Sequence, residues 1–126
     1  MESPYLKIQS RRSSFGSAMV NLIPKLKEAG IPASVVDQLV RSATSVGANY
    51  QEARGGESKA DFLHKLQVAL KECREAKHWL YVLMEIPAGP HRTVSILRGE
   101  CDQLCAILYS SVITAKSHRN ANDNDT

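Results

Sequence analysis

The side chains of this chain that could do chemistry are three cysteines, four histidines and a group of cations on one predicted helix. Cys101 and Cys105 stand four residues apart, one helical turn, a spacing that can bring two sulfur ligands to one metal ion. No histidine joins them at helical spacing, and Cys73 falls on an apolar stripe, so the cysteines are expected to pack in the core as small hydrophobes. His64 and His78 are four turns apart, too far to share an ion. A di-metal bundle site repeats Glu-x-x-His inside the core, and here the pattern occurs once, as Glu75-Ala-Lys-His78, on a polar face. There is no G-x-S-x-G, no phosphate-cradling glycine loop and no nucleophile–base set. The expectation is a protein without catalysis, cofactor or metal.

Lys71, Arg74, Lys77 and His78 crowd one stretch, with Lys59 and Lys65 a turn or two earlier. Positions 71, 74 and 78 share a helical face that could follow phosphates. Glu72 and Glu75 lie among them and aromatic residues are not interleaved, which is also how an ordinary solvated face reads. With 16 Lys and Arg against 13 Asp and Glu, the net charge of +3 permits attraction to nucleic acid but falls short of a dedicated binder.

The elements that must position these residues are helices. Phe15, Met19, Leu22, Leu26 and Ala29 alternate spacings of four and three, and predict a first helix from Ser13 or Ser14 to Ala29, with Pro24 kinking it near Val20 or dividing it. Residues 1–13, locally basic at Arg11 and Arg12, show no helical period and read as a loose arm. Pro32 opens a second helix carrying two adjacent rows: Val35, Leu39, Ser42, Val46, Asn49 and Ala53 beside Val36, Val40, Ala43, Gly47 and Tyr50. Gly55-Gly56 ends it. Ser58, with Asp61 three residues on, caps a third helix striped by Phe62, Leu66, Ala69, Cys73, Ala76, Leu80 and Leu83. Pro87-Ala88-Gly89-Pro90 stops that helix, and Val94, Leu97, Cys101, Leu104, Leu108, Ser111 and Ala115 mark a fourth, to about Lys116. A polar tail over 118–126 is expected to be disordered. Short connections between four seven-residue-repeat helices predict an all-α, antiparallel up-down-up-down four-helix bundle over 14–117. With no run of about 18 apolar residues and no signal-type leader, the chain is expected to be cytoplasmic and free of membrane.

Two adjacent apolar rows on the second helix make a face wider than one partner helix covers, and predict self-association. Ser45, Gly47, Asn49, Tyr50, Glu52 and Trp79 are the candidate assembly residues. Small side chains permit close helix approach, and a buried Asn49 can fix register and oligomer state. Tyr50 and Trp79 can anchor a subunit contact or equally lie in the chain's own core. Glu52 and Glu72 are candidates for the same polar network, with Arg41 or Arg74 as partners.

RSATSVGANYQEA at 41–53, SKADFLHKLQVALKE at 58–72 and WLYVL at 79–83 resemble the four-helix bundle proteins first noted as reading frames inside ribosomal-RNA intervening sequences. The likeness spans roughly residues 14–117 and is most specific in the central hairpin. It implies a homo-oligomeric ring, a homopentamer in relatives. Through a related branch, the accessory protein of diversity-generating retroelements, it implies RNA or DNA and a reverse transcriptase as partner classes. The functional expectation is a scaffold or adaptor that binds nucleic acid weakly, or alternatively a purely protein-binding assembly module.

Overall fold

The computed structural model describes residues 4–56 and 58–124, with side chains described for 15–56 and 58–118. Four helices follow in order: α1 (Pro4–Glu28), α2 (Ala33–Arg54), α3 (Lys59–Glu85) and α4 (His91–Asn124). No strand occurs among the described residues. Each helix packs on its sequence neighbours and α1 returns to α4, with the α2–α3 and α3–α4 contacts the most extensive. Cross-helix pairs fix the directions. Arg41 meets Glu72 and Glu75 while Glu52 meets Lys65, so α2 and α3 run antiparallel. Lys77 meets Asp102 while Tyr81 meets Arg98, so α3 and α4 do too.

The helix ends follow from local chemistry. α1 closes in a Schellman arrangement: Gly30 sits at φ +77, its amide donates to the Lys27 carbonyl, and the Ile31 amide reaches back to Leu26. Leu26 and Ile31 are both buried, the apolar contact that accompanies this cap. Gly56 turns the chain between α2 and α3, where a Cβ would stand 3.1 Å from the Ala53 carbonyl oxygen. The Ser58 hydroxyl then accepts from the Asp61 amide at 3.1 Å, the cap expected from the sequence.

The helix stripes are the core. Phe15, Met19, Leu22 and Leu26 of α1, Leu39 and Val46 of α2, Leu66, Leu80 and Leu83 of α3, and Leu104 and Leu108 of α4 are all buried. Both rows of α2 are largely covered within the single chain: Val36, Ala43 and Tyr50 are as buried as Leu39, Ser42 and Val46. The breadth of that face therefore reflects packing against α1 and α3 together and does not require a second copy.

Two boundaries differ from expectation. α1 begins at Pro4, and Ser13 and Ser14 lie inside it. The spacing Tyr5, Ile8, Arg12, Phe15, Met19 keeps the three–four alternation throughout, but Arg12 occupies an apolar position and hides the stripe. Pro4 suits a helix start, since its missing amide would be unpaired there. The side chains of that segment, and residues 1–3 of the expected arm altogether, lie outside the described residues. Pro24 stands within one continuous helix. Both Pro24 and Val20, whose carbonyl loses its helical donor to the proline, are exposed, on the outer side of the helix where the break costs least. At the other end, α4 continues past Lys116 to Asn124, because no Gly or Pro interrupts the backbone after Gly99, while residues 125–126 lie outside the described residues.

Candidate functional site

α3 carries a different chemistry on each flank. On the α2 side, Arg41 bridges Glu72 at 3.2 Å and Glu75 at 2.6 Å. The hydrogen bond and the charge of Arg41 hold the Glu75 carboxyl below its usual range. Glu52, expected in this network, pairs with Lys65 at 2.8 Å instead. These side chains are partly exposed, so the pairs orient the helices more than they stabilise them.

The Glu75 pairing makes an acid-side prediction. A carboxyl whose folded pKa is depressed contributes stability above its unfolded value, about 4.3, and loses it as pH falls through the folded value. Glu75→Gln should be less stable than wild type at neutral pH and converge with it in acid, read from urea unfolding at stepped pH. A stability gap that persists below the folded pKa would contradict the assignment.

On the opposite flank lies a shallow groove of about 370 Å³ lined by Arg74, Lys77, His78, Tyr81, Val82 and Glu85. Tyr81 is 47% exposed, and the Arg98 guanidinium from α4 lies 4.2 Å from its ring centroid, a cation–π contact. Lys77 pairs with Asp102 at 3.0 Å, whose hydrogen bond and charge hold the ammonium above the ordinary lysine range. Further along the same flank of α4 as Arg98 and Asp102, at spacings of seven and four, come the exposed Tyr109 and Ile113.

The six expected cations thus divide. Arg74, Lys77 and His78 meet at the groove; Lys71 is exposed on the same helix; Lys65 is engaged with Glu52, and Lys59 stands at the helix start. Sequence reasoning missed Tyr81 and Arg98. Tyr81 was findable, because Arg74, His78, Tyr81 and Glu85 step by four, three and four along one stripe. Arg98 was not, since it arrives from another helix.

The assembly candidates are placed within the chain as follows. Tyr50 is buried. Ser45 and Gly47 are half-buried. The Asn49 amide donates to the Ser45 carbonyl at 2.9 Å, one turn back in its own helix. Trp79 is half-buried against the core, with its Nε1 buried and its ring edge-on to His78 at 5.1 Å. The polar group fully buried in α2 is Ser42, whose hydroxyl bonds the Gln38 and Leu39 carbonyls.

Beneath the groove, α3 brings Cys73 to Cys101 and Cys105. The Cys73 sulfur lies 3.8 Å from that of Cys101 and 2.9 Å from that of Cys105, with all three within 4.8 Å. Cys73 and Cys101 are buried and Cys105 is intermediate. Hydrogen bonding to Cys101 and Cys73 holds Cys105 well below the ordinary thiol range, while bonds to Cys101 and Cys105, with burial, push Cys73 up. The expected core placement holds, yet pairing across helices makes a cluster that spacing along α4 alone did not reveal.

The family model described as 23S rRNA-intervening sequence protein matches residues 5–110. A solved structure of a protein of unknown function from Bacteroides thetaiotaomicron, assigned to the S23 ribosomal protein family, is 30% identical over 83% of this chain and 97% of its own, with a TM-score of 0.78. No curated protein matches the chain. Among the described residues, no helix is long and apolar enough to cross a membrane.

Proposed function

We propose, from the premise that this chain belongs to the 23S rRNA-intervening sequence protein family, that it is a non-enzymatic, self-associating four-helix bundle of the cytoplasm whose α3–α4 face binds structured RNA. The observation that carries the reading is the groove in which Arg74 and His78 flank an exposed Tyr81 stacked by Arg98. Cations meet phosphates there and the aromatic ring offers an unpaired base a stacking surface. The acidic residues that argued for an ordinary solvated face, Glu72 and Glu75, turn to Arg41 on the other flank. Glu85 at the groove's end keeps the site modest, in line with the net charge of +3.

Self-association finds support on α4 rather than α2: Tyr109 and Ile113 are about half exposed further along the flank that carries Arg98 and Asp102, and Val20 of α1 and Ile96 of α4 are exposed as well. A ring of five copies is the number the family likeness implies, and it would repeat the weak face around an axis and gain avidity. A nucleic-acid-processing enzyme such as a reverse transcriptase is the protein partner class that likeness implies.

Titration of a labelled structured RNA at stepped salt, with DNA of the same sequence alongside and light scattering for mass, tests the reading. With about three phosphates neutralised per chain, the logarithm of affinity should fall with the logarithm of salt at a slope of about −2 to −3. Absence of RNA binding at low salt in an oligomeric protein would leave the protein-only assembly role, which the α1–α4 cleft lined by Ala18, Leu22, Ile96 and Leu97 favours.

A further inference from the structure

We propose that Cys73, Cys101 and Cys105 form a three-thiolate site for a soft monovalent metal ion, Cu(I). Cys101 and Cys105 lie one turn apart on α4, and Cys73 faces them from α3, so rigid helices supply all three sulfurs. Sulfurs bonded to one ion at about 2.3 Å stand roughly 3.8–4.0 Å from each other. Cys73 and Cys101, at 3.8 Å, already have that separation. Cys105, 2.9 Å from Cys73, must withdraw by about 1 Å to seat an ion at that bond length, and as the partly exposed member it has room to do so.

The donor set selects the ion. Thiolates favour Cu(I), Zn(II) and iron–sulfur clusters over harder metals. Among the described residues the cluster contains only the three cysteines, with no fourth His, Asp or Glu donor. Structural zinc takes four protein ligands, and iron–sulfur clusters take four cysteines or two cysteines with two histidines. Three sulfurs, two of them fully buried, suit a three-coordinate Cu(I). Cys73 and Cys101 are fully buried, which excludes water from two sides, and Cys105 gives the ion a way in. The Lys77–Asp102 ion pair stands beside the cluster with its two charges opposed, so the ion itself must supply the neutralisation that lets three sulfurs share the site. The site lies behind the groove and makes no use of it.

The test uses the full reduced chain, kept free of oxygen and titrated with Cu(I) supplied as its acetonitrile complex against bathocuproine disulfonate. The expected result is one Cu(I) withdrawn per chain, three sulfur neighbours at about 2.3 Å by X-ray absorption, and Zn(II) unable to displace it. Cys105→Ser, at a partly exposed position, should keep the helical circular dichroism and weaken Cu(I) binding more than 100-fold, beyond the 10–100-fold range typical of losing an outer partner. Cys73→Ala should do the same if it folds; if it does not, Cys105→Ser decides. Failure to compete with the chelator, fewer than three sulfur neighbours, preference for Zn(II), or unchanged affinity in a folded Cys105→Ser chain would each overturn the site.

Discussion

Leu80→Ala should lower the free energy of unfolding by about 3 kcal/mol, within the 2–5 kcal/mol range for emptying a buried leucine site. Leu80 is completely buried on α3, the helix with the most extensive contacts on both sides. One turn away on the same stripe lie the equally buried Ala76 and Leu83, so the cavity has little freedom to collapse. Against a total of roughly 5–15 kcal/mol for a domain, this is a large fraction. Urea unfolding reads it directly, with the midpoint falling and the slope unchanged. Gln51→Ala, on an exposed side chain of α2, is the control and should shift stability by less than about 0.5 kcal/mol. Equal losses at the two positions would mean that the stripes are not the core.

The second large effect concerns the groove, and its parts separate by salt dependence. Tyr81→Ala removes a stacking surface worth about 1–3 kcal/mol per base, so RNA affinity should fall roughly tenfold or more at every salt concentration with the slope intact. Arg74→Gln removes a phosphate contact, so affinity should fall at low salt and the slope should lose about one. Lys65→Gln, on a cation already engaged by Glu52 at 2.8 Å, should do little. If all three variants behave alike, binding is diffuse attraction to a mildly basic surface and the groove is not the site.

Much of the fold was legible because it is written in spacing along single helices. Leu66, Ala69, Cys73, Ala76, Leu80 and Leu83 had to share a face, and they are buried together. The helix ends were legible where glycine, proline or a capping serine marks them, as at Gly30, Gly55-Gly56 and Ser58. They were not legible at Pro4, where Arg12 interrupts an apolar stripe, or beyond Lys116, where the helix continues without an apolar face to betray it. The Arg98 contact on Tyr81 and the thiol cluster were hardest to read, since each joins α3 to α4. Which residue of one helix lies opposite which residue of the next depends on the turn between Ile86 and Pro90, and no periodicity within either helix contains that register. The Gly89 amide donates to the Ile86 carbonyl within it and the ring of His91, the first residue of α4, bonds the same oxygen, so this short segment sets the opposition of Tyr81 with Arg98 and of Cys73 with Cys105.

The return of α1 to α4 has a consequence for how the chain is made. Contacts of α2 with α3 and of α3 with α4 join helices adjacent in sequence and can form as soon as each hairpin exists, the low-contact-order case that folds quickly. α1 is different: its stripe of Phe15, Met19, Leu22 and Leu26 is covered partly by α2 but also by a helix that begins only at His91. At synthesis rates of about 5–20 residues per second, that apolar stripe waits several seconds on the ribosome for its last neighbour. During this interval the nascent chain offers an incomplete three-helix groove, the state most open to chaperones or to α4 of another copy.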